Sequence, residues 1–137
     1  IAAGRRYDLR DILTQEPVTL HTASIAWNAY RKKWIIIGLQ QSGKKDAASH
    51  LGEVWYTEAD SPTVPWNKAV KNASHPNYSV YNPRVHTFFD QEGGKVIYFE
   101  GTYTKTFSGN PTAVPRYEYN QLLYRLDLRD ERLKPIR

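Results

Sequence analysis

The sequence predicts an all-β fold of two antiparallel β-meander repeats, and three observations carry that expectation. Two stretches superimpose without a gap, AWNAYRKKWIIIG (26–38) and FFDQEGGKVIYFE (88–100). Each holds an aromatic residue (Trp27, Phe89), then Asn28 or Asp90, a four-residue turn, a Lys (Lys33, Lys95) and four apolar residues. The shift from Trp27 to Phe89 is 62 residues. A second pair, GEVWYTEAD (52–60) and NQLLYRLDL (120–128), matches in pattern at a shift of 68, from Tyr56 to Tyr124. The loop before it is therefore six residues longer in the second copy. The apolar runs Trp34–Ile37 and Val96–Phe99 are strand-sized and unbroken, as expected of strands buried on both faces. Ten Tyr and four Trp add side chains that favour strands and binding faces over helices.

The elements follow in order. RRYDLRDIL fits either one helical turn or an outer strand. The first copy reads as strands at 22–28, 33–40 and 52–59. The Pro-bounded SPTVPW turn then leads to a short stretch, Trp66–Lys71, that fits a fourth strand, and its two prolines exclude a helix starting before Pro65. The second copy reads as strands at 84–90, 95–103 and 119–128. Its hairpin joins Val85–Phe89 to Lys95–Phe99 through Asp90-Gln91-Glu92-Gly93-Gly94, a polar turn closed by two glycines. This divides the chain into an extension (1–21), repeat one (22–72), a linker (73–81) and repeat two with its tail (82–137).

Repeats of this length, each a meander of three or four strands, suit propeller-like blades, with a sandwich or small barrel as the alternatives. Two blades do not close a ring. The blade reading therefore expects this chain to be part of a larger propeller, completed by another chain or by further copies. The chain starts at Ile1 and contains no Met, which suits a piece of a longer polypeptide.

The formal charge is +5, with bases scattered among acids and no long Lys/Arg run. That describes a solvated surface rather than a nucleic-acid footprint. No apolar stretch approaches the length of a membrane helix. The absence of Cys excludes disulfides, zinc–thiolate sites and thiol chemistry, and suits an exported protein. His21, His50 and His75 show no metal-ligand spacing, so no metal or other cofactor is expected from the pattern. Asn72-Ala73-Ser74 is a sequon, a pattern common by chance.

Ionisable residues on the second hairpin need a reason. Strand pairing around the 90–94 turn places Glu100 near Arg84. Glu100 among Phe99, Gly101 and Tyr103 suits either a general acid with a raised pKa or a structural ion pair with Arg84 or Arg116. Glycoside hydrolysis takes a second carboxylate roughly 5 to 9.5 Å away, and none is visible on that strand. The loop YTKTFSGNPTAVPRYEY (103–119) is too long for a tight connection. Its Tyr103, Phe107, Asn110, Arg116, Tyr117 and Tyr119 suit either a glycan-binding rim or aromatics packed on the sheet.

Four segments carry a family resemblance: SIAWNAYRKKWIIIG, GEVWYTEADSPTVPW, YNPRVHTFFDQEGGKVIYFEGTYT and PRYEYNQLLYRLDL. Together they resemble the C-terminal blades of a family of exported bacterial β-propellers similar to the five-bladed furanosidase and arabinanase type. The ADSPTVPW turn is the most specific element, with Val64 where that family's turn has Gly. The resemblance implies an axial position for His86, beside a central water or calcium ion. It also implies that the catalytic carboxylates of such enzymes belong to earlier blades. Where their base motif would fall, this chain reads Asn82-Pro83. The expected function is a non-catalytic segment binding a glycan or a partner through His86, Arg84, Glu100, Tyr103, Arg116 and Tyr119. The alternative is the C-terminal part of a glycosidase-like enzyme whose acids lie outside this chain.

Overall fold

A computed structural model describes residues 7–41, 51–63, 65–112 and 118–136. Over the described residues the protein is mostly β, 55% strand and 11% helix, and the helix there is all in short 3-10 turns. Eight strands form two sheets. The first contains β1 (Tyr7–Asp11), β2 (Leu20–Asn28), β3 (Lys33–Gln40), β4 (Glu53–Ala59) and β5 (Trp66–Ser74), in the order β1-β5-β4-β3-β2. The second contains β6 (Ser79–Val85), β7 (Val96–Thr104) and β8 (Asn120–Asp127), in that order.

The open choice at the N-terminal side resolves as a strand. β1 pairs with β5 in parallel, with Arg10 opposite Lys68, while every other pairing is antiparallel. The fourth strand of the first copy forms as expected and runs on to Ser74.

Both faces of the first sheet are buried along β3 and β4. Along β3, Ile35, Ile37 and Leu39 join the core between the sheets, whereas Ile36 and Trp34 join a second cluster with Leu9, Trp55, Trp66 and Ala69. The segment that leads from β1 to β2 brings Val18 onto that second face. The unbroken apolar run therefore has a physical cause: alternate residues need alternate cores, and both exist.

The two sheets pack face to face through Ile35, Ile37, Val54, Tyr56 and Val70 on one side and Val80, Ile97, Phe99 and Leu126 on the other. The 3-10 segment Glu131–Ile136 adds Leu133 and Ile136 to this core. Between β3 and β4 and between β7 and β8 the register obeys the sequence repeat. Ile35 pairs with Glu58, and their counterparts at the shifts of 62 and 68, Ile97 and Leu126, pair likewise. The faces that meet are consequently equivalent ones: Ile35 and Ile37 point into the same core as Ile97 and Phe99.

The second copy departs from its expected first strand. β6 spans 79–85, not 84–90. Asn82 (φ 51°) and the buried Pro83 form a bulge between the Tyr81–Thr102 and Arg84–Glu100 pairs, the irregular position where a strand tolerates proline. Beyond His86 the chain leaves the ladder. Residues 87–89 coil into a 3-10 turn, in which Phe89 N–H donates to His86 O (3.0 Å) and Asp90 N–H to Thr87 O (3.1 Å). A second 3-10 turn follows at 92–94. Consecutive positive φ angles at Glu92, Gly93 and Gly94 (50°, 67° and 89°) let the chain reverse there, and glycine adopts such angles without steric cost.

The copies are fastened at this loop. Asn28, at the end of β2 and 1% exposed, donates through Nδ2 to Gly94 O (2.8 Å), and its Oδ1 accepts from Arg31 N–H (2.8 Å). Ser24 Oγ accepts from Val85 N–H (2.8 Å), tying β2 to β6.

Candidate functional site

The solvent face of the second sheet gathers the ionisable residues singled out on the hairpin. Directly paired residues share a face, so three rows form across the sheet. Arg84, Glu100 and Leu123 make one; Tyr98 and Arg125, with His86 N–H donating to Tyr98 O (2.9 Å), make the next; Thr102 and Gln121 make the third. The inner face of the same strands supplies Ile97, Phe99 and Leu126 to the core.

Register brings Glu100 opposite Arg84 as expected, yet the carboxylate takes another partner. Glu100 Oε2 lies 3.2 Å from His86 Nε2. The cause is the bulge and the turn after it, which end the ladder at His86 and leave its ring beside β7. Arg84 is exposed, and among the described residues its guanidinium makes no ion pair. Aromatic rings border the pair. His86 contacts Phe88 (centroids 5.2 Å apart) and Phe89 (6.1 Å), and Phe89 meets Tyr98 edge-on at 6.3 Å. Phe88 is 75% exposed, a large apolar surface held out by a short turn rather than packed into a strand.

Other expected site residues lie elsewhere. Tyr103 falls on the opposite parity of β7, stacks on Tyr78 (4.6 Å, 13° between planes), and its hydroxyl lies 3.1 Å from His75 Nε2. It anchors the passage between the sheets. Tyr119 is exposed just before β8, with φ 54°. Arg116 and Tyr117 lie outside the described residues. Phe107 leans on Tyr81 at 5.7 Å, and Glu118 accepts from Thr104 Oγ1 and Lys105 N–H, so the described ends of the long loop close on themselves.

Calcium takes six to eight oxygen ligands. Among the described residues, no group of three or more His, Asp or Glu side chains is placed to hold a metal, and His86 with Glu100 supplies too few donors. No helix among the described residues is long and apolar enough to cross a membrane.

Three features escaped the sequence reading. Arg125 and Tyr98 share the face of His86 and Glu100; the alternation of β8, with Gln121, Leu123 and Arg125 out and Leu122, Tyr124 and Leu126 in, was the signal that could have placed Arg125. Asp90, the counterpart of Asn28, keeps a buried Oδ1 without a hydrogen-bond partner, and burial raises its pKa. The third feature is a buried ionic cluster. Arg31 clasps Glu58 through Nε and Nη2, both at 2.8 Å, and Tyr56 O–H donates to the same carboxylate (2.7 Å). The side chains of Arg31 and Glu58 are only 7% and 4% exposed. Burial, then the Glu58 charge, pushes the Tyr56 hydroxyl well above its ordinary pKa. Every charge in this cluster is matched internally, so it serves the fold. Separately, a cleft of about 330 Å³ lies between β1 and β2, with Leu9, Val18, Leu20 and Ile36 beside the polar Thr19, His21 and Thr22.

No family model, no curated protein and no solved structure matches the chain.

Proposed function

We propose that this chain is an exported, non-catalytic binding module whose ligand is a glycan taken up on the solvent face of the second sheet. The observation that carries the reading is the His86–Glu100 pair, held at 3.2 Å on an open sheet face beside the exposed ring of Phe88. Aromatic rings offer apolar platforms to the C–H faces of sugars, and a carboxylate paired with imidazole offers fixed acceptors and donors to hydroxyls. Glu100 faces an imidazole rather than a second carboxylate, which supports binding over hydrolysis. A glycan array with the wild type and with Phe88→Ala tests it. Binding that falls about tenfold or more in the variant supports the proposal; no binding to any neutral or acidic glycan refutes it.

A second reading makes the chain part of a larger propeller, and the outer face of β2 favours it. Ile25 and Trp27 are 46% and 47% exposed, and Trp27 meets Trp34 edge-on at 5.9 Å. Apolar side chains grouped on a sheet face suit a neighbouring blade. The packing of equivalent faces weighs the other way, because a rotational ring sets the front of one blade against the back of the next. Light scattering decides between them: a soluble 15.9 kDa monomer with a cooperative melt removes the propeller reading.

A further inference from the structure

We infer that the glycan taken by this face carries carboxylates, with Arg84 and Arg125 as the residues that select for them. The inference rests on the glycan-binding reading and adds the chemical class of the sugar.

The charge distribution on the face leads there. Arg84 sits on β6 and Arg125 on β8, straddling β7 in adjacent rows, two strand spacings across and two residues along, or about 12 Å apart. Both are exposed, and among the described residues neither guanidinium is paired with a carboxylate. The acid nearest Arg125 in sequence, Asp127, is engaged by Arg129, whose Nε and Nη2 donate to it at 2.8 and 2.7 Å. That bidentate grip, with a smaller contribution from the Arg125 charge, holds the Asp127 carboxyl well below the usual carboxylate range. Between the two arginines, the carboxylate of Glu100 is turned to His86. Two guanidiniums without an ion pair thus face water on either side of Glu100, and the two acids that share this face among the described residues, Glu100 and Asp127, already have partners in His86 and Arg129.

An uncommitted guanidinium is a planar fork that matches a carboxylate or phosphate in two parallel hydrogen bonds. Glu100 lies in the path between the two forks and disfavours a densely charged strand such as a nucleic acid, which would bring phosphates against it. A sugar acid alternates charge with hydroxyls. Its carboxylate can meet an arginine while its hydroxyls meet Glu100, and its ring can lie on Phe88 beside His86. That alternation matches the rows of this face.

Calorimetry with a glucuronic acid trimer and with its methyl ester, at low and at raised salt, tests the inference. The acid form is expected to bind at least about tenfold more tightly than the ester, and to weaken as salt rises. Arg84→Gln and Arg125→Gln should each erase most of that preference while leaving the thermal transition in place, since both side chains are exposed. Phe88→Ala should weaken acid and ester alike. Equal binding of the two forms, or acid binding untouched by both arginine substitutions, would overturn the carboxylate inference and leave the glycan reading standing. Binding of neutral array glycans alone would also overturn it, whereas silence across the whole array refutes the glycan reading itself. Tighter binding to a DNA duplex than to the trimer, lost in Arg84→Gln, would mark a general polyanion surface and likewise overturn it.

Discussion

Glu100 and His86 are joined at 3.2 Å across the end of the β6–β7 ladder, although the residue directly opposite Glu100 is Arg84. Replacing Glu100 with Gln keeps the shape and removes the charge. The pair is only partly buried, so the expected cost is about 0.5–1 kcal/mol, measured by urea denaturation. A loss above about 3 kcal/mol would mean that the pair is far more desolvated than its exposure indicates.

The cluster of Arg31, Glu58 and Tyr56 should behave in the opposite way. Glu58→Ala strands a buried guanidinium and is expected to cost about 3–5 kcal/mol. The double variant Arg31→Met, Glu58→Leu should recover most of that loss, because buried ion pairs are often replaceable by apolar groups of similar volume. If the single and double variants were equally unstable, the cluster would be contributing more than mutual neutralisation.

Tyr56 adds a pH signature. Its pKa in the folded chain is raised above the ordinary value near 10, so folding favours the protonated hydroxyl. The stability from this group is fully present below about pH 10 and is lost as pH rises above it, where the unfolded chain ionises first. Tyr56→Phe is expected to reduce the steepness of alkaline unfolding, followed by fluorescence. In ultraviolet titration Tyr56 should stay silent until the fold is lost.

Asp90 provides the acid-side counterpart. Burial raises its pKa, so the ionised form is disfavoured in the fold, and the penalty is present at neutral pH and vanishes as both states protonate. Asp90→Asn should therefore stabilise at pH 7 and make little difference near pH 3. Partial contact with water holds the gain below about 1 kcal/mol. Thermal melts at the two pH values check the sign.

Asn28→Ala removes the buried hydrogen bond that fastens the first hairpin to Gly94 and the one that closes that hairpin's own turn at Arg31. Leaving a buried carbonyl without its donor costs about 1–3 kcal/mol. Hydrogen exchange should show the 92–95 segment opening more readily in the variant.

Much of this architecture was legible in the residues. The shifts of 62 and 68 match the β3–β4 register to that of β7–β8, because a repeat that keeps the apolar period also keeps which residues pair. Trp34–Ile37 announced a strand buried on both faces, though not what would cover the second face. That role falls to Leu9 of β1, in a segment whose pattern left helix and strand open, and to Val18. The second hairpin misled for a definable reason. Val85–Phe89 has strand composition, but Asn82-Pro83 bulges the strand and the 3-10 turn satisfies its backbone locally, so Phe88 and Phe89 never reach the ladder. The contact between His86 and Glu100 depends on that detour, and no pairwise count from the turn could find it.

The meeting of equivalent faces has a consequence for how the molecule holds itself together. A duplicated unit joined through matching surfaces is, in effect, a dimer written on one polypeptide, with residues 75–78 as the tether between β5 and β6. A tether that short keeps each half at a high effective concentration for the other. Cleaving it between Pro76 and Asn77 would turn an intramolecular encounter into a bimolecular one. Stability would then vary with dilution, and a lone repeat would present its matching surface to another copy of itself.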